Sequence, residues 1–153
     1  MNKFMVMIVI GGVLGGCASE PLIVEHINTH DYTLSYSHKT FDTEIEAVKE
    51  VIALYNGIAI DKNKLFEGYV YRNSLGRHYY SVTESGKLPP TYEAQNVVAI
   101  WQSYGHRQWG HDYFSPDIKQ LAIDARVRVY RINSDNLLHI YNPSGTVDYL
   151  SME

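Results

Sequence analysis

The chain has 153 residues, a formal charge of −4 and one cysteine. A chain this long supports one domain with an adequate core. Its mild acidity argues against nucleic acid as a general partner, and a lone cysteine excludes a disulfide within the chain.

Residues 1–16 comprise a polar start with one cation at Lys3, an apolar run from Phe4 to Val13, and Leu14, Gly15 and Gly16 before Cys17. This is the anatomy of a signal peptide. An apolar run of about ten residues is half of what a spanning helix needs, so removal after export is expected rather than a permanent span. Leu14-Gly15-Gly16-Cys17 resembles the bacterial lipobox, and the resemblance implies that the Cys17 thiol receives a diacylglyceryl group and becomes the new N-terminus. In the sorting rule for such lipoproteins, Ala18 after the cysteine implies the periplasmic face of the outer membrane. Removing residues 1–16 leaves 137, and the charge becomes −5 as Lys3 departs. Thirteen tyrosines against four phenylalanines fit strand surfaces and interfaces.

Residues 17–40 read as the lipidated cysteine and a spacer from the membrane, with an edge strand near Tyr32 to Tyr36. Thr43 and Glu46 form a capping box, and Ile45, Val48, Ile52 and Tyr55 share a face. Asn56-Gly57 supplies a stop, so a helix of about thirteen residues is expected. Glu67–Arg72 and His78–Thr83, separated by Asn73-Ser74-Leu75-Gly76, predict a β-hairpin. Asn96–Trp101 is a nearly continuous apolar run of the kind buried in the middle of a sheet. From Tyr104 to Phe114 the chain is Gly-rich and polar yet aromatic, which marks it as the expected functional surface, with Phe114 expected in core packing. Ser115 as N-cap, Pro116 at the first helical position and Asp117 in the first turn start a second helix that runs to about Arg126. Val127–Ile132 and Leu137–Tyr141 predict a closing hairpin, after which Asn142-Pro143-Ser144-Gly145 turns the chain out into a polar tail at 148–153. The expected fold is α+β, a mixed central β-sheet flanked by two main helices, within a domain spanning 41–147.

The order of Phe66-Glu67-Gly68-Tyr69-Val70-Tyr71, Gly76-Arg77-His78-Tyr79-Tyr80, Val98-Ala99-Ile100-Trp101-Gln102-Ser103-Tyr104-Gly105, Phe114-Ser115-Pro116-Asp117 and Ile140-Tyr141-Asn142-Pro143-Ser144-Gly145 resembles a bacterial branch of the JAMM (JAB/MPN) metallopeptidase-like superfamily, over roughly residues 43–146. In that family a core strand ends in His-Ser-His or His-Thr-His, a Ser-x-x-Asp helix start follows, and a Glu comes from an earlier strand. Two His and one Asp hold zinc while the Glu acts as general base on the bound water, with hydrolysis of an amide or isopeptide bond as the implied reaction. Here Gln102 and Tyr104 stand at the histidine positions, Asp117 follows Ser115 at a shortened spacing, and Leu65 takes the expected place of the base. Glu67, two positions on and on the same sheet face, is either a substitute base or an ordinary strand glutamate paired to Arg72 or Arg77.

The resemblance therefore implies a degenerate scaffold without a cofactor, used for binding. Tyr104, Arg107, Trp109 and Tyr113 supply the aromatic and guanidinium anchors for a protein partner. In a lipid-anchored setting such a binder suits a toxin-neutralising immunity protein, by family association. Two alternatives stand beside it. One is a zinc-dependent peptidase or amidase with a site relocated to His106, His111 and Asp112, and the other is a structural cell-envelope lipoprotein.

Overall fold

The structure is a computed structural model, and it describes residues 34–84, 96–105, 114–132 and 134–152. Its first long element is helix α1, Glu44–Lys62. The capping box forms as expected. The Thr43 hydroxyl accepts from the Glu46 backbone N–H at 3.3 Å, and the Glu46 carboxylate accepts from the Thr43 N–H at 3.0 Å. The helix then runs through Asn56-Gly57 where a stop was expected. Asn56 faces the core, its Oδ1 accepting the Ser103 hydroxyl at 2.9 Å, while Gly57 lies on the exposed side. The left-handed stop falls six residues later at Asn63, φ 50°, whose N–H reaches the carbonyls of Ala59 and Ile60.

Strands β1 (Ser35–Tyr36), β2 (Leu65–Arg72), β3 (His78–Val82), β4 (Val97–Tyr104), β5 (Arg128–Ile132), β6 (Leu137–Tyr141) and β7 (Val147–Ser151) join one sheet in the order β1-β3-β2-β4-β5-β6-β7. Only β4 and β5 pair in parallel. The fold is thus α+β with a mixed sheet and two helices. The parallel step needs a crossover, and helix α2, Pro116–Ala125, lies within it. Ser115 caps α2 by accepting from the Ile118 N–H, and Arg126, φ 56°, ends it.

Each helix covers one sheet face, because successive strand residues point to opposite sides. Ala47, Val48, Val51, Ile52 and Ala59 of α1 pack with Phe66, Ala99, Trp101, Tyr130, Ile132 and Leu138. Ala122 of α2 packs with Tyr69, Ile100, Phe114, Val129 and Tyr141, which bears out Phe114 as core.

The expected tail is a correction. Asn142-Pro143-Ser144-Gly145 turns the chain back, with Gly145 at φ 90°, the Gly145 N–H on the Asn142 carbonyl and the Asn142 N–H on the Thr146 carbonyl, both at 2.9 Å. That geometry feeds β7 antiparallel onto β6 instead of releasing the chain to solvent.

Candidate functional site

One row of side chains crosses the sheet from β2 to its outer edge. Glu67 is opposite Gln102, Gln102 opposite Arg131, Arg131 opposite His139, and His139 opposite Tyr149. The residues are in phase with Tyr69, Ile100, Val129 and Tyr141, so the row lies on the α2 face. Glu67, Gln102, Arg131 and His139 are all buried. Polar groups taken out of water this far must bond to one another.

From Glu67 to Arg131 they do so in sequence. The Gln102 amide nitrogen donates to Glu67 Oε2 at 2.9 Å, and its Oε1 accepts from Arg131 Nε at 3.2 Å and Nη2 at 2.8 Å. That pattern fixes which end of the amide is which. Arg131 Nη2 also donates to the Tyr104 hydroxyl at 3.1 Å, and the guanidinium lies over the rings of Tyr104 and Phe114, 4.7 and 5.4 Å from their centroids. The Glu67 main chain bridges Thr83 on the other side, so β2 holds the carboxylate rigidly. The row sits at the carboxyl ends of the parallel pair β4 and β5, the part of an open sheet where crossover connections leave and ligand sites form.

Burial sets the electrostatics. It pulls the Arg131 guanidinium below its ordinary value against the raising influence of Tyr104 and Glu67, and it pushes the Tyr104 phenol up, opposed by Arg131. The His139 imidazole is lowered first by burial, with nearby Asp135 raising it and the Arg131 charge lowering it further. His139 also meets the Tyr149 ring edge-on, 4.9 Å between centroids.

The sequence candidates divide accordingly. Gln102 and Glu67 come together, and Leu65 lies opposite Tyr104. Tyr104 was expected as a loop anchor. It is instead the last residue of β4, half-buried beneath Arg131, because the apolar run continues as strand for three residues past Trp101. The expected pairing of Glu67 with Arg72 or Arg77 is also corrected, since Arg77 pairs with Asp42 and Thr40, and Arg72 is exposed at the far end of β2. Asp117 is exposed in the first turn of α2. Cys17, His106, Arg107, Trp109, His111, Asp112 and Tyr113 lie outside the described residues. Among the described residues no three His, Cys, Asp or Glu side chains group as metal ligands.

Arg131 and His139 were missed by sequence reasoning. The signal was present in the alternation Val127, Val129, Arg131, which places a cation at an inward register position. No protein-family model matches the chain, and no curated protein or solved structure matches it either.

Proposed function

We propose that this chain is a lipid-anchored, extracytoplasmic binding protein on a JAMM-like scaffold whose hydrolytic site has been converted to a static polar network, and that it serves as an immunity protein against a toxin delivered to the envelope. One observation carries the reading. Gln102, at the place of the family's first histidine, has its amide nitrogen committed to Glu67 and its oxygen to Arg131.

A carboxamide nitrogen has no lone pair to give a metal, and a phenol raised above its ordinary pKa and hydrogen-bonded to Arg131 is a poor donor. The residues present at these positions therefore do not fit zinc. Leu65 takes the place of the family's base, and Glu67, two positions on, is the carboxylate that reaches Gln102 across the strand pair. Its oxygen is now a structural acceptor. A rigid, internally bonded sheet end can hold a neighbouring surface in place for a partner.

The test has two arms. The full chain, purified with zinc supplied, is expected to carry no stoichiometric metal, and, for a toxin encoded beside it, a strain lacking the chain is expected to be killed by cells delivering that toxin and rescued by restoring the chain. Stoichiometric zinc lost in His106→Ala and His111→Ala would overturn the reading in favour of a peptidase or amidase with a relocated site. Unchanged survival with a leaky envelope would overturn it in favour of a structural lipoprotein.

A further inference from the structure

Four tyrosines gather on the α2 face where strand β1 joins the sheet. Tyr71 of β2 is directly opposite Tyr79 of β3, and Tyr36 of β1 pairs with Ser81, which sets its ring diagonal to Tyr79 and against Tyr71. Tyr71 touches the other three. Its ring centroid is 4.9 Å from Tyr79, 5.8 Å from Tyr36 and 6.1 Å from Tyr69. Tyr71 is buried, while Tyr36 is half-buried and keeps some contact with solvent. Strand β1 pairs with β3 through Ser35 and Tyr36, and a chain with one cysteine has no disulfide to tie that strand down.

The phenol ends meet as well as the rings. The Tyr71 hydroxyl lies 3.3 Å from Ser81 Oγ. Burial pushes the Tyr71 phenol well above its ordinary pKa against the lowering effect of that bond, and the Tyr36 phenol adds to the rise by its charge and by a hydrogen bond. Tyr71 therefore keeps its proton, and an electron leaves it only together with that proton. Phenoxyl radicals couple at the ring carbons next to oxygen, through a bond that lies in both ring planes, so the rings must meet edge to edge at their hydroxyl ends. Tyr71 and Tyr79 are stacked 15° apart and lie face to face. Tyr71 and Tyr36 are tilted by 48° and share a hydrogen bond at the phenol ends, which brings the coupling carbons together.

We propose that Tyr36 and Tyr71 are an oxidative modification site, at which one-electron oxidation driven by hydrogen peroxide joins the two phenols as dityrosine and ties β1 covalently to β2. The half-buried Tyr36 first gives up one electron and one proton. Its radical takes a hydrogen atom from Tyr71 across the shared hydrogen bond, and Tyr36 is then oxidised a second time. The two radicals join through a bond between ring carbons next to oxygen, and the hydrogens on those carbons pass to the oxygens and restore both phenols. Peroxide takes up the two electrons and two protons and leaves as two waters. The link closes the loop from β1 to β2 and holds the edge strand in place. This reading is independent of the immunity assignment.

The test treats the full chain, dilute and in detergent, with a haem peroxidase and one equivalent of hydrogen peroxide, then cuts it with trypsin and Asp-N. Peptide 31–39, cut free of Cys17, is expected to be joined to Leu65–Arg72. The joined species should be lighter than the two peptides by two hydrogen atoms, and its fragmentation should place the bond at Tyr36 and Tyr71. Loss of this species is expected in Tyr36→Phe, with the fold checked by circular dichroism, and in wild type treated while unfolded in urea. No link in the folded chain, a link that persists in Tyr36→Phe, equal yield from the unfolded chain, or bonds between separate chains only would overturn the proposal. If Tyr36→Phe fails to fold, the comparison of folded with unfolded wild type decides alone.

Discussion

Gly68 shows how little room the centre of the sheet allows. A Cβ built there would fall 1.8 Å from the Ser81 carbonyl oxygen and 2.7 Å from Trp101 Nε1. Neither atom can move freely, because the indole N–H donates to that same carbonyl at 2.9 Å. Gly68→Ala is therefore expected to cost about 3 kcal/mol or more, seen as a lower urea midpoint with an unchanged slope. His139 gives a prediction with a definite sign. Its folded pKa lies below the ordinary 6.5, so in the window between the two values the unfolded chain binds more protons than the folded one. Stability should rise with pH through that window, be fully present above about pH 6.5, and fall as the pH is lowered. His139→Phe should flatten this part of the profile, and urea melts from pH 5 to 8 in both proteins check it. Neither residue announced its role. Gly68 reads as an ordinary strand glycine until Trp101 is placed across from it, and His139 reads as polar until the α2 face is known to be buried.

Elements were legible where their signals are local. The Thr43–Glu46 box, the Ser115-Pro116 start and the Asn73–Gly76 turn are each decided by residues a few positions apart, and each formed as read. The end of α1 was misread because Asn-Gly carries two meanings. It is a left-handed stop when exposed, yet here Asn56 turns its side chain to Ser103, a contact 47 residues away that no local pattern contains. Residues 148–153 read as tail because the pairing of β7 depends on the turn at Gly145 and on β6 already being in place. The capping box allows a measurement at this scale: Thr43→Ala should lower stability by about 1 kcal/mol, and thermal melts followed by circular dichroism would record it.

At the level of the whole molecule, one sheet with a helix on each face was foreseeable from the order of helix, hairpin, strand, helix and hairpin. The polar row was not. Its members come from five strands, and which of them are neighbours is settled only once strand order and register are fixed together. Among the described residues no helix is long and apolar enough to cross a membrane. Under the proposed anchoring the lipid on Cys17 attaches the chain to the membrane, so cells fed labelled palmitate should label the wild-type chain and leave Cys17→Ser unlabelled, an outcome read on immunoprecipitated protein; an unlabelled wild type would count against the lipid.

The Trp101–Ser81 bond also makes this protein its own optical instrument. Trp101 is fully buried and its indole dipole is pinned by one carbonyl, so its emission should be blue-shifted and closed to iodide while the sheet is intact. Because β2, β3 and β4 all touch that single bond, in a Trp109→Phe chain, where Trp101 is the one tryptophan left, the colour of that side chain should report whether these three adjacent strands are still held together.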